Sequence, residues 1–177
     1  MSAALIRHLG AEDAAAYRAL MLEAFARDAD AFTSTAAERE HEPLAWWSRR
    51  IGGPGQATEC LGAFVDGALA GSVALEHGDK PKTRHASLLI GMVVRPAHRG
   101  RGLGGELLRA ALAAVRHDPA RRAVRLTVTE GNAPAIALYQ AHGFVAWGTE
   151  PQAILTPRGY LGKVHMRLDL HGSERRE

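Results

Sequence analysis

The sequence predicts an α/β (α+β) fold: a single mixed, mostly antiparallel sheet of six or seven strands with helices on both faces. Three observations lead there. From Leu88 to Val94 the chain is aliphatic and β-branched, the composition of a buried strand, and a glycine- and arginine-rich loop carries it into apolar residues at helical spacing after Gly105. Two helical patterns come early and a strand pair closes the chain, so the elements do not repeat as a strict βα series. With 177 residues, 46% hydrophobic and 23% charged, the composition is that of one globular domain with a substantial core. That domain is expected over residues 1–171, with a polar tail at 172–177 expected to fray.

Ala4 to Leu9 reads as a short first strand, and Gly10-Ala11-Glu12-Asp13 leads into a helix through about Arg27. Phe32 to Thr35 is a loop in which Thr35 and Glu38 form a capping box. A second helix carries Leu44, Trp46, Trp47 and Ile51, with Pro43 expected at its first position. After the Gly52-Gly53-Pro54-Gly55 loop the period changes. Cys60–Val65 and Leu69–Leu75 are strands joined by the hairpin signal Asp66-Gly67. The central strand starts near His85, and the helix after its loop ends near Arg116, before Asp118-Pro119. Val124–Val128 is a further strand. Ala133–Gln140 is a helix stopped by Gly143, and Val145–Thr149 with Gly159–Leu170 form a closing antiparallel pair around Pro157-Arg158-Gly159.

Composition narrows the function. A single cysteine, Cys60, cannot form an internal disulfide, which suits a reducing cytoplasm. No apolar run approaches the ~20 residues that span a bilayer, and the N-terminus lacks a signal-peptide layout. A net charge of +3 favours an anionic small molecule but is no nucleic-acid footprint. The nine histidines show no paired metal-ligand spacing, so no metal is expected.

The chemistry is concentrated in Arg99-Gly100-Arg101-Gly102-Leu103-Gly104-Gly105. A glycine loop between a strand and a helix N-terminus suits a diphosphate, because first-turn N–H groups lack intrahelical partners and the helix dipole adds favourable charge. Two familiar patterns fall short. A P-loop requires Lys and Ser/Thr where Glu106 follows Gly105. The dinucleotide spacing is met by Gly100, Gly102 and Gly105, but too few βα units follow for a nicotinamide-binding fold.

The Arg-x-x-Gly-x-Gly run from Arg99 through Gly104 resembles the acetyl-CoA pyrophosphate loop of the GNAT superfamily of N-acetyltransferases. Asn132 to Tyr139 followed by Gly143-Phe144 is similar to the family's segment after the fifth strand. The two stretches span about Leu88 to Trp147; the first half of the chain matches only in element order. The resemblance implies a GNAT-like sheet whose fourth and fifth strands form a splayed parallel pair that binds the cofactor, acetyl-CoA, as co-substrate. It implies that Met92, Val93 and Val94 offer backbone groups to the acetyl-pantetheine arm, with the Val93 or Val94 N–H polarising the thioester carbonyl. It implies that Arg99, Gly100, Arg101, Gly102, Leu103, Gly104 and Gly105 hold the pyrophosphate. Asn132 then binds the pantetheine amide, and Tyr139 protonates the departing sulfur as general acid.

Thr127 stands where some family members carry a Glu that serves as base, which leaves Glu76, His77, His85 and Glu130 as candidates. The missing Glu also keeps open a module that binds acyl-CoA without turnover. On the acceptor side the resemblance implies Phe32, Ser34, Glu38 and Trp46 or Trp47, with Tyr160 from the terminal pair. Glu38 or Glu40 there would favour a cationic amine; Glu38 as a helix cap and tryptophans as core are the competing readings. Arg116, His117, Arg121 and Arg122 are either a contact to the cofactor's 3′-phosphate or a solvated rim. The expected partner is a small-molecule or protein amine, with no nucleic acid and no membrane, and the family's habit allows a homodimer.

Overall fold

The computed structural model describes residues 4–171; the tail expected at 172–177 lies outside the described residues. Seven strands, β1 (Leu5–His8), β2 (Thr58–Val65), β3 (Ala68–His77), β4 (Ala86–Val94), β5 (Ala123–Thr129), β6 (Val145–Thr156) and β7 (Gly159–Asp169), form one sheet in the order β1-β2-β3-β4-β5-β7-β6. Every pairing is antiparallel except β4 with β5. The helices are α1 (Ala14–Arg27), α2 (Ala36–Arg39), α3 (Leu44–Ile51), α4 (Leu103–Arg116) and α5 (Ala133–Ala141).

Strand alternation sends side chains to two cores. On one face α4 buries Leu103, Leu107, Leu108, Ala111, Leu112 and Val115 against Val73, Leu75, Leu89, Val124 and Leu126, joined by Tyr139 and Phe144. On the other, α1 and α3 pack Tyr17, Leu20, Met21, Trp47 and Ile51 over Cys60, Leu69, Ala74 and Val93. These helices stop at β4, so Arg125 and Thr127 on the same face of β5 are exposed. The 3₁₀ turn Ala29–Ala31 reaches over the end of β5, where Thr129 Oγ1 donates to the Asp30 carbonyl at 2.7 Å.

Two expectations shift. Pro43 is the N-cap of α3, with its first helical residue at Leu44, because the extended backbone of Pro43 precedes the helix. β6 continues past Thr149 to Thr156, since an irregular stretch around Gln152, at φ +53°, lets it re-pair with β7 where a loop is expected from sequence. The capping box forms as expected, with Glu38 accepting from the Thr35 amide and hydroxyl.

At one end the sheet is pinned. The Glu59 carboxylate, buried at the start of β2, is 3.0 Å from His8 Nε2 and 2.9 Å from His77 Nε2, and His77 Nδ1 is 2.8 Å from the fully buried Ser87 Oγ. Four strands are tied there, and the hydrogen bond to His77, with that to His8, holds the Glu59 carboxyl below the usual carboxylate range against its burial.

Candidate active site

At the other end the sheet opens. β4 and β5 pair only from Ala86–Ala123 to Leu88–Arg125, after which β4 stays with β3 as far as Val94 and β5 stays with β7 as far as Thr129. β4 also bulges: Ser72 faces Val93 and Ala74 faces Ile90, so Gly91 and Met92 share the place opposite Val73. Gly91 takes φ +59°, a left-handed conformation that costs glycine little, and the bulge turns the strand's backbone at the mouth of the gap. The Arg95 N–H is donated to Ala70 of β3, and the Val93 carbonyl also lies toward β3, at Gly71. Alternation therefore directs the Val94 N–H and C=O into the gap, which narrows the expected amide pair to Val94. An open strand edge of this kind can pair with an extended amide-bearing ligand as with an added strand.

The gap runs into a cleft of about 480 Å³ lined by Met92, Val93, Val94, Arg99, Gly100, Gly102 and Leu103–Gly105 on one side and by Asn132, Ala135 and Leu138 on the other. Gly100 and Gly102 have φ +72° and +82°, and Gly102 is the N-cap of α4 without any side-chain cap. The N–H groups of the first turn therefore face the cleft with no protein acceptor, and a side chain at either glycine would strain the turn. A diphosphate with an amide-bearing arm fits this cradle: anion at the helix N-terminus, arm along the open edge. Asn132 caps α5 by accepting from the Ala135 amide at 3.3 Å, which leaves its side-chain NH₂ free to donate.

Arg99 is fixed at the rim, with Nε donating to the Val94 carbonyl at 2.9 Å and a terminal nitrogen 2.5 Å from Asp28. Arg101 is exposed and does not line the cleft. Tyr139 sits in the α4-side core with its ring edge-on to Phe144 at 5.8 Å, and burial alone pushes its phenol up to about 12. The phenol stays protonated at neutral pH, and Tyr139 is not among the residues that line the cleft.

A second cavity, of about 500 Å³, adjoins the cleft and shares Asp28, Ala31 and Asn132 with it. Its remaining walls are Arg27, Ala29, Asp30, Thr129–Gly131, Arg158 and Leu161. The acceptor-side residues expected from sequence are not gathered around it. Phe32 lines the first cleft, and Ser34, Glu38 and Tyr160 line neither. Glu38 is committed to its cap, Tyr160 stands 60% exposed on β7, Trp47 is core and Trp46 packs against Trp47, Arg39 and Arg50. Of the base candidates, Glu76 and His77 pair with Leu88 and Ser87 and His85 precedes β4, all toward the pinned end. Leu88 is about 13 Å along the strand from Met92. Only Glu130 reaches the cavity. Arg121 is tied to Asp118 and the Gly78 carbonyl beyond the far end of α4, a helix about 20 Å long, which makes the basic cluster a rim away from the glycine loop. Asp28, Asp30, Thr129 and Arg158 were not singled out from sequence, because only the fold brings the 27–31 turn to the end of β5.

A parted parallel strand pair with a bulge, opening onto an uncapped glycine-rich helix N-terminus, suits a diphosphate with an extended amide-bearing arm, and it is the site that the resemblance to the GNAT superfamily implies for acetyl-CoA. The model of the acetyltransferase (GNAT) family matches residues 17–144, and the chain belongs to that family. It is an N-acetyltransferase that uses acetyl-CoA as co-substrate and an amine as acceptor. The L-amino acid N-acetyltransferase AaaT of Escherichia coli (strain K12) is 25% identical over 166 residues, which cover 94% of this chain and 98% of that protein. A GNAT-family acetyltransferase from Streptococcus pneumoniae superposes with a TM-score of 0.82 at 23% identity, covering 96% of this chain and 100% of the other. The yncA acetyltransferase of Salmonella typhimurium, solved with acetyl-CoA, gives 0.78 at 23% identity over 99% of each chain; these two likenesses show the fold. Among the described residues no group of His, Cys, Asp or Glu is placed to hold a metal ion, and no helix is long and apolar enough to cross a membrane.

Proposed function

We propose that the chain acetylates the amino group of a small zwitterionic acceptor, an amino acid or a close analogue, in the cavity beside the parted strands. The observation that carries this is the cavity's make-up: about 500 Å³, sharing Asp28, Ala31 and Asn132 with the cofactor cleft, and edged by Glu130 and by the ion pairs of Asp28 with Arg27 and of Asp30 with Arg158. Acids suit an ammonium and arginines a carboxylate. The L-amino acid specificity named for the Escherichia coli relative supports the same class.

Acetyl-CoA supplies the acetyl group as a thioester. Backbone groups at 92–94 take the pantetheine arm and the Val94 N–H polarises the carbonyl. Arg99 and Arg101 add charge around the amides of 100–105, Asn132 donates to the arm, and Tyr139 gives its proton to the sulfur. Holding amine and thioester in line supplies much of the rate. The chain works as one domain over 1–171 in the cytoplasm. The exposed apolar side chains Val145, Trp147, Leu155 and Tyr160 on β6 and β7 support a homodimer through that strand pair.

A panel of L-amino acids, polyamines and short peptides, assayed for thiol release from acetyl-CoA, tests the acceptor class. Turnover greatest on free amino acids and lost on their methyl esters is the expected outcome. Preference for peptides or polyamines would overturn the acceptor reading and leave the acetyl-CoA chemistry standing.

A further inference from the structure

Lys163, in the middle of β7, is a basic side chain buried without an acid paired to it among the described residues. The chain has 22 lysines and arginines, of which only Lys80, Lys82 and Lys163 are lysines, and the first two are exposed in the turn after β3. Lys163 is 7% exposed. Its Nζ donates to Thr129 Oγ1 at 2.8 Å, and Thr129 Oγ1 in turn donates to the Asp30 carbonyl. The charged and titratable groups facing it are engaged elsewhere. Asp30 on the covering turn pairs with Arg158, Glu150 on β6 lies 3.3 Å from His165 Nε2 on β7, and the Glu130 carboxylate sits over Gly162. An ammonium here has one neutral acceptor for three N–H donors and little water, so burial lowers its pKa below the ordinary lysine value. An arginine could not respond by shedding a proton; a lysine can.

Its position matters as much as its burial. The parallel register of β4 and β5, carried forward from Leu88–Arg125, sets Thr129 level with Met92, across the gap from the bulge. Thr129 also lines the acceptor cavity. Its hydroxyl therefore stands between that cavity and the buried amine, on the opposite bank from the β4 amides, and when Nζ is neutral the single hydroxyl proton can turn from the Asp30 carbonyl to Nζ.

The geometry points to Lys163, working through the Thr129 hydroxyl, as the proton acceptor that turns the acceptor's ammonium into the attacking amine. This rests on the amine-acceptor reading of the adjoining cavity. The protons and bonds balance. The acceptor R–NH₃⁺ gives one proton to Thr129 Oγ1 while Thr129 passes its own to the neutral Lys163 Nζ, leaving R–NH₂ and a lysine ammonium. The amine lone pair forms the N–C bond to the acetyl carbon, and the C–S bond breaks with its electron pair on sulfur. A second proton from nitrogen reaches sulfur by way of the Tyr139 hydroxyl. Lys163 returns its proton to water, so one proton is released per acetyl group transferred.

Two measurements test this. Protein labelled with ¹³C at lysine Cε carries three lysine signals, and the one missing from Lys163→Met is expected to titrate at lower pH than the other two. Three signals titrating together would overturn the proposal, whatever the acceptor. In pH profiles of kcat/KM with acetyl-CoA and the best amino acid of the panel, wild type is expected to show an acidic limb matching that titration. Lys163→Met, Lys163→Arg and Thr129→Val should each lose about 100-fold at neutral pH together with that limb, and Thr129→Ser should keep it. A Lys163→Arg enzyme with the wild-type profile would make the residue a fixed cation, an anchor for the acceptor's carboxylate, and sink the proton-acceptor role. Wild type inert on every amine would refute the acceptor class, while the lysine titration still decides Lys163.

Discussion

The two ends of the β4–β5 pair are built in opposite ways. At the pinned end the strands exchange backbone hydrogen bonds, and Glu59, His8, His77 and Ser87 tie four strands through side chains. At the open end the same strands part, and the Val94 N–H on the β5 side of β4 and the first-turn N–H groups of α4 have no protein acceptor among the described residues, while Arg99 Nε takes the Val94 carbonyl. The difference shows where function is stored. Satisfied polar groups make the hinge of the V rigid, and unsatisfied ones, held apart by that rigidity, become the binding surface.

The contrast sharpens when each end is damaged separately. The largest effect is expected from Tyr139→Phe, which removes the proposed proton donor but keeps the ring on Phe144. kcat should fall about 100-fold or more, with acetyl-CoA affinity by calorimetry unchanged. Glu59→Gln should do the reverse, costing about 2 kcal/mol, or about 5 °C in Tm for a chain of this size, with the KM for acetyl-CoA unaltered. The sign with pH follows from the lowered carboxyl of Glu59. Its contribution is complete above the unfolded value and is lost as pH falls through the folded one, so the acid-side slope of stability should flatten in Glu59→Gln. Gly102→Val places a side chain at φ +82° and should weaken acetyl-CoA binding about tenfold while the sheet stays intact. In stability, as distinct from turnover, the smallest change is expected from Lys163→Met. Burial lowers the folded pKa of Lys163, so wild-type stability rises with pH between that value and the unfolded one. The variant should lose this rise and gain about 1 kcal/mol at neutral pH, read by urea unfolding.

The glycine turn and the two helices that flank the open end were legible in the sequence because their requirements are local. Gly100 and Gly102 are needed for positive φ, Leu103 to Val115 repeat at helical spacing, and Asn132 caps the helix that carries Tyr139. The cavity beside it was not, because its walls converge from separate segments. Lys163 sits in a strand where nothing local distinguishes it; the 28–31 turn, more than a hundred residues earlier, helps cover that corner through Thr129. The family resemblance puts Glu38 and Trp47 on the acceptor side, yet the competing reading holds: one is a cap and the other core. The pinned end was equally hidden. Glu59, His8, His77 and Ser87 lie on four strands, and only the register brings them together.

A crystal structure of the protein with acetyl-CoA bears most directly on the open V. The diphosphate should rest on the amides of 100–105, the pantetheine arm should run along β4 between the parted strands, and the thioester should lie between the Tyr139 hydroxyl and Thr129. Density for the arm outside the gap, or a thioester on the side of the pinned end, would contradict it.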